Sequence, residues 1–510
     1  MSNKYYLTTA IPYANSDPHI GFAYEILCAD VMARYQRLQG KEVYFLTGTD
    51  EHGQKMLRTA KDAGRDVADY SAEKSAQFQL LADRWNITND DFIRTTEPRH
   101  MERAQKFWQA SLAAGDIYKK QYSGLYCVGC EAFKTEKDLV DGKCPDHNKE
   151  PEVLVEENYF FKLSKYQQQL EKLFDSQKDF VYPSNRYNEM RNILKDGLED
   201  ISVSRSKEKL TWGVPVPGDD SQVMYVWFDA LTNYITALGY GTDDTDLYDK
   251  FWPADAHVIG KEINRFHSLL WPAMLLSAGL PLPKQIIVHG WITVSGQKMS
   301  KSLGNVINPL TLIDEYPLES VRYFFSREIP FDDDGDYSEQ KFRDRFNGDL
   351  ANGLGNLTNR IIVMIEKYCD SIVPVAHDSG IKKYTVSTWD EYETQMDKWR
   401  FDHALEDVFK LVTFCDQQIS EKQPWAMAKA GKMDEVKILL GDLTEALRHI
   451  AVMLYPVMPE TSEKILTQIG LSAEAEFKLN LNELKEWRDT AGQKIQKGEP
   501  LFPRLENSPR

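Results

Sequence analysis

The first fifty residues leave few options for the fold. Tyr5 to Ile11 is a strand-forming run, PYANSDPHIG turns the chain, and Phe22 to Leu38 has the pattern of a helix that stops at Gly40. A second strand, Glu42 to Leu46, follows at once and runs into TGTDEHG. Two strands joined through a helix lie parallel in one sheet, because a helical crossover brings the chain back to the same edge. His257 to Ile259 and Gln285 to His289 are two further short strands, separated by a predicted helix over Glu262–Ser277. This alternation predicts an α/β parallel sheet whose ligands gather at the carboxyl ends of the strands.

The pattern changes twice. Residues 116–225 carry three clustered cysteines, short irregular pieces and several prolines, which predicts an insertion into the sheet domain. After the acidic loop FDDDGDYS (331–338) the sequence is helical to its end. Leu350, Leu354, Leu357, Ile361 and Met364 form one apolar stripe. Leu405, Val408, Val412 and Cys415 form a second, and Leu439, Leu443, Leu447, Ile450 and Leu454 a third. Stripes of this spacing pack as an all-α helical bundle. The predicted organisation is a sheet domain in two halves, 1–115 and 226–345, an inserted domain at 116–225, and a helical domain at 346–510.

No apolar run approaches the ~18 residues of a membrane span. The richest, Leu269 to Leu280, is broken by Pro272. The N-terminus has no targeting pattern, so the expectation is a cytoplasmic chain without a membrane partner. The net charge of −17 argues against a protein that coats nucleic acid through bulk charge. It leaves room for a local basic surface, and the motifs reverse the first impression.

Three motifs carry chemistry. Pro18-His19-Ile20-Gly21 stands at a strand-to-helix corner, where free N–H groups and the helix dipole attract phosphate. By itself an H-x-G triplet reads as an ordinary loop. The second, Lys298-Met299-Ser300-Lys301-Ser302 within VSGQKMSKSLGN, puts two lysines and two serines on a glycine-flanked loop and predicts a mobile phosphate clamp. The third is Cys127-x2-Cys130-x13-Cys144-x2-His147. Its two arms have metal-ligand spacing, and four ligands close a zinc coordination sphere, so the expected site holds one structural Zn2+. Cys28, Cys369 and Cys415 are isolated within apolar helical patterns and are expected to be buried thiols.

The first two motifs, in this order, resemble the paired signature of class I aminoacyl-tRNA synthetases. The resemblance is closer to methionyl-tRNA synthetases. TTAIPYAN, LTGTDEHG, YVWFDAL, IGKE with FHSLLWPAM, VHGW, the lysine–serine loop and QPW are similar to that family in its order, over nearly the whole chain. The first motif departs from the commoner form at its last position, where Phe22 replaces histidine. One phosphate contact is then absent or supplied elsewhere.

The resemblance implies a Rossmann-type catalytic domain, a zinc-bearing connective insertion and a helical anticodon-binding domain. It implies a methionine–tRNA ligase that uses ATP and L-methionine to charge the initiator and elongator methionine tRNAs. The methionine slot would be Ile11, Tyr13, Trp227, Ala230, Tyr234, His267 and Trp271, with Asp50 on the ammonium and Arg205 on the carboxylate. A thioether suits such an aromatic slot, although aromatic residues are core residues first. ATP, with Mg2+, would be held by Pro18, His19, Gly21, Glu262, Lys298, Ser300 and Lys301. Of these, His19, Lys298 and Lys301 are the catalytic contacts. Glu262, where the family more often has Asp, would hold the ribose.

Adenylation by phosphoryl chemistry needs positioning and charge stabilisation and no protein nucleophile. That agrees with the absence of a nucleophile–histidine triad. In the helical domain, Asn356 and Arg360 share one helix face and Pro424-Trp425 heads another helix. The resemblance gives these four to the anticodon. On its own pattern, Trp425 fits equally well in the bundle core. The family's longer members append a dimerising domain that this chain lacks, so a monomer is expected. Four rivals stand beside this reading: a synthetase for a branched amino acid, which would carry a longer insertion; one for cysteine, whose zinc would lie in the substrate pocket; a small nucleotidyltransferase joined to a helical bundle; and an inactive tRNA-binding paralogue.

Overall fold

The computed structural model describes residues 3–134, 136–146, 148–299 and 304–505. It divides into two compact units, one of Met1–Ala29 with Val43–His289, the other of Asp30–Glu42 with Gly290–Arg510.

The first unit is built on a six-stranded sheet: β1 (Lys4–Thr9), β2 (Glu42–Thr49), β3 (Asp91–Arg94), β4 (Val181–Tyr182), β5 (Ala256–Gly260) and β6 (Ile286–His289). Their spatial order is β3-β2-β1-β5-β6-β4. β1 pairs parallel with β5, setting Leu7 beside Ala256 and Thr9 beside Val258. β5 pairs parallel with β6, β6 with β4, and β2 with β3. Every residue of β5 and β6 is buried, as expected of parallel strands covered on both faces. The chain leaves β1 toward β3 and later returns on its other side, so the topological switch point lies between β1 and β5. Ligands of open parallel sheets bind outside the carboxyl ends of the strands at such a point. Beyond β1 stand Ile11, Tyr13 and His19; beyond β5 stand Glu262 and His267.

Two features depart from the sequence reading. Val181–Tyr182 falls inside the predicted insertion yet forms the edge of the central sheet. The helix predicted over Glu262–Ser277 is three pieces: a 3-10 turn at Lys261–Ile263, a π-helix at Phe266–Leu270 and an α-helix at Trp271–Ser277. Pro272, in the first turn of the last piece, has no N–H for a regular ladder. The wider π turn, a form that recurs at functional sites, carries His267.

The two ends of the segment 117–161 form a long antiparallel hairpin. Ile117–Cys127 pairs with Glu152–Phe161, from Ile117 opposite Phe161 to Tyr126 opposite Glu152. The cysteine turn hangs at its far end. A second small sheet pairs Val223 with Arg205.

The second unit is mainly helical, with long helices at Asn356–Tyr368, Gly380–Met396, Phe401–Lys422 and Met433–Leu454. All three apolar stripes are buried in it. It also contains a three-stranded sheet of Ile292–Val294, Gln297–Lys298 and Gly335–Tyr337. The first two are joined by Ser295 (φ 51°) and Gly296 (φ 74°). Two successive left-handed residues make the tight turn whose twist matches a hairpin.

Candidate active site

A chain of ring contacts joins the predicted slot residues beyond β1 and β5. Tyr13 meets Trp227 edge-on at 6.4 Å, and Trp227 meets His267 edge-on at 6.1 Å. The Tyr234 hydroxyl lies 2.7 Å from His267 Nε2. Tyr234 also packs on Trp271 at 6.0 Å, and Trp271 Nε1 donates to His257 Nε2 at 3.3 Å. Ala230 is buried beside them and Ile11 packs against the same core. Burial holds His267 down to about 4. Burial, reinforced by His267, also holds His257 well below its ordinary range. The rings therefore form an uncharged cluster with a few weak polar edges, a lining suited to an apolar side chain carrying a soft heteroatom.

Four buried carboxylates surround one end of this slot. Glu51 accepts from Arg94 at 2.6 and 2.9 Å and from Thr96 at 2.6 Å. Asp229 accepts from His52 Nδ1 at 2.7 Å and His100 Nε2 at 2.8 Å. Burial would raise Asp229, but the two histidines more than offset it and hold it down to about 2. Glu131 accepts from the Tyr126 hydroxyl at 2.6 Å and from the Lys55 backbone N–H. Asp50 is different. Among the described residues its carboxylate accepts only the His52 backbone N–H, at 3.3 Å. Burial first, then repulsion by Asp229, Glu131 and Glu51, pushes Asp50 well above the usual carboxylate range. Such a group is stabilised by a cation arriving from outside. Asp50 bridges Tyr13 through the backbone, so that cation would sit at the mouth of the slot. Arg205 is buried, with its guanidinium over Tyr225 at 4.5 Å and Tyr126 at 5.1 Å.

At the strand-to-helix corner, Pro18 is buried and His19 exposed immediately before the helix Ile20–Leu38. The Gly21 N–H donates to His19 Nδ1 at 3.1 Å. Nδ1 is thus an acceptor, which puts the proton of a neutral ring on Nε2, as a donor. Phe22 is buried against Phe78 at 5.0 Å; it is a packing residue. Glu262 is exposed just past β5.

Lys298, in the second unit, is exposed with its ammonium 3.8 Å from the centre of the Trp291 ring. Ser300 and Lys301 lie outside the described residues. The thiols of Cys127, Cys130 and Cys144 converge, all within 4.8 Å of one another, and Cys130 Sγ lies 3.5 Å from Cys144 Sγ. That donor set fits a metal ion such as zinc. The predicted fourth ligand, His147, lies outside the described residues. The three isolated cysteines are buried.

In the helical region Asn356 is exposed and Arg360 is half-buried and paired with Asp416. Pro424 is buried at the head of its short helix and Trp425 is 47 % exposed. The alternative that Trp425 sits in the bundle core is excluded.

Sequence reading missed several residues of the site. His52 and Asp229 stand inside LTGTDEHG and YVWFDAL, so a signal was present without a role. Glu131 follows Cys130 directly. Phe266, stacked on Trp227 at 4.0 Å, opens the FHSLLWPAM block without a role assigned to it, and His100 has no signal beyond its place in a helix.

Comparison with known proteins gives this geometry a family. The model of class I tRNA synthetases (M) matches residues 5–152 and 147–362, and that of the anticodon-binding domain of tRNA ligases matches 378–497. The fold and the site thus define a class I tRNA synthetase. The methionine–tRNA ligase of Thermotoga maritima is 44% identical over 513 residues, covering 99% of this chain and 80% of that protein. That of Rhizobium meliloti is 44% identical over 512 residues, covering 99% and 98%. The Mycobacterium tuberculosis methionyl-tRNA synthetase in complex with methionyl-adenylate superposes with a TM-score of 0.92 at 38% identity, covering 99% of this chain and all of that one. The chain belongs to the methionine–tRNA ligase family.

The neutral imidazole of His267 has a consequence for stability. Its folded value of about 4 lies below the ordinary value of about 6.5. The unfolded chain therefore takes the proton first as the pH falls. The stabilising contribution is complete above about pH 6.5 and is lost on the way to about pH 4. Urea unfolding at pH 7 and pH 5 should differ by about 2 kcal/mol more in the native protein than in His267→Gln. An equal pH dependence in both would show that His267 is not the group protonated.

Proposed function

We infer that the chain is a methionine–tRNA ligase. The methionine carboxylate attacks the α-phosphate of ATP, forming methionyl-adenylate and releasing pyrophosphate. The terminal adenosine hydroxyl of the tRNA then attacks the adenylate carbonyl, and AMP leaves. The observation that carries the amino-acid reading is Asp50, a buried carboxylate without a cationic partner among the described residues, at the mouth of an aromatic slot. In our proposal Asp50 takes the methionine ammonium and Arg205 its carboxylate. Ile11, Tyr13, Trp227, Ala230, Tyr234, His267 and Trp271 enclose the thioether.

For ATP, we assign a phosphate contact to His19 through Nε2–H, with Pro18 and Gly21 shaping the corner. We assign the ribose hydroxyls to Glu262 and the reacting phosphates to Lys298, Ser300 and Lys301. Mg2+ accompanies the nucleotide and screens its phosphate charge. Catalysis then consists of alignment and of donors aimed at charge that develops in the transition state. Cys127, Cys130, Cys144 and His147 would hold one structural Zn2+ at the end of the hairpin in the 116–225 insertion. Residues 346–510 serve the anticodon through Asn356, Arg360, Pro424 and Trp425. An exposed indole suits stacking on an unpaired base. We further assign the enzyme to the cytoplasm, as a monomer that charges initiator and elongator methionine tRNAs. No helix among the described residues is long and apolar enough to cross a membrane.

Methionine-dependent ATP–pyrophosphate exchange tests the assignment, and exchange driven by another amino acid in its place would overturn it. Lys301→Ala should lower kcat far more than it raises the methionine KM, since its contact strengthens in the transition state. Protein purified without added zinc should contain about one equivalent of metal, and an active metal-free protein would refute the zinc site. Trp425→Ala should weaken aminoacylation by about 1–3 kcal/mol while pyrophosphate exchange and thermal stability hold. A parallel loss of all three would remove the anticodon role.

A further inference from the structure

Glu131 combines features that ordinary packing does not explain. It directly follows Cys130 of the thiol cluster. Its side chain is almost fully buried, with 1 % of the residue exposed. Its backbone is left-handed, at φ 52°, a conformation that costs a glutamate energy and persists where the surroundings demand it.

The carboxylate reaches two partners on opposite arms of the amino-acid site. One oxygen accepts the backbone N–H of Lys55, in the first turn of the helix Gln54–Asp62 that follows the Asp50 loop. That turn lacks a side-chain cap of its own, since Gly53 precedes it. A Cβ at Gly53 would stand 3.2 Å from the same oxygen, so glycine admits the carboxylate. The Lys55 ammonium in turn lies 5.4 Å from the centre of the Tyr13 ring. The other oxygen accepts from the Tyr126 hydroxyl at 2.6 Å, and the Tyr126 ring lies under the Arg205 guanidinium at 5.1 Å. Glu131 thus touches both the support of the ammonium contact and the support of the carboxylate contact, from a turn fixed by the cysteines.

We propose that Glu131 is a positioning residue that sets the spacing between Asp50 and Arg205, and so couples the cysteine turn to amino-acid affinity. This rests on the reading of the site as a methionine pocket. The residue acts through two hydrogen bonds, so its charge is secondary. The substitution Glu131→Gln would keep both, with the amide oxygen accepting from Lys55 and the amide nitrogen donating to the Tyr126 oxygen.

The test compares Glu131→Ala and Glu131→Gln in pyrophosphate exchange, with methionine binding followed separately by tryptophan fluorescence. In E131A the methionine KM and Kd should rise about tenfold, the scale of a lost buried hydrogen bond. The ATP KM, kcat and metal content should stay close to native, and E131Q should restore methionine affinity. Unchanged methionine affinity in E131A overturns the proposal. So does a joint loss of ATP affinity, kcat and bound metal that E131Q fails to repair. Tyr126→Phe covers the case in which E131A does not fold: it removes one bond only and should raise the methionine KM by a smaller factor with the ATP KM unchanged. No change there also overturns the proposal. Native enzyme without methionine-dependent exchange would refute the pocket reading itself, a separate result.

Discussion

The site depends on a shortage of positive charge. Four carboxylates are buried within one region of the sheet domain, and a buried anion is tolerated only when it is paired, hydrogen-bonded or protonated. Arg94 attends Glu51, and two histidines attend Asp229. Asp50 is left with a backbone N–H. In the proposed reading that residual deficit is what an incoming ammonium group would relieve. The uncharged rings next to it cannot relieve the deficit, and in the proposed reading an amino acid would be drawn in by its ammonium and sorted by its side chain.

The sheet makes this arrangement possible. Chain reversal between β1 and β5 leaves a crevice with the loops after both strands on its rim. Residues far apart in sequence, such as Tyr13 and Trp227, then become neighbours. The π turn that carries His267 belongs to the same logic. On that turn His267 lies with Nε2 2.7 Å from the Tyr234 hydroxyl.

Much of this was legible in the sequence, for identifiable reasons. Strands and helices announced themselves through periodicity, and the stripe Leu350–Met364 is buried as its spacing predicts, although Leu350 and Leu354 lie on a π-helix, Phe346–Gly355, ahead of the α-helix. The ring cluster proposed as the methionine slot stands in the motif blocks that carried the resemblance. What escaped was the set of contacts that bind those blocks to each other. His100 reaches Asp229 across 129 positions, and nothing in its own helix marks it. Glu131 sits beside a conspicuous cysteine that draws attention to metal rather than to the pocket. Trp425 was undecided because one aromatic residue in an amphipathic pattern fits either face; only its exposure separates the two. Phe22 looked like a lost phosphate contact, and its packing on Phe78 shows what the position does instead.

The hydrogen bond from Gly21 to His19 Nδ1 bears on what happens after the chemistry. An enzyme that grips triphosphate must also release the fragments. A permanently cationic side chain at the corner would hold pyrophosphate about as firmly as it held ATP, and departure would then govern turnover. With Nδ1 occupied by the backbone, a neutral His19 in the proposed role would offer a phosphate one oriented N–H, from Nε2. On that proposal its grip would rest on alignment with the phosphate and not on a fixed charge. The proposed role thus gives the helix that begins at this corner a part in release as well as in capture.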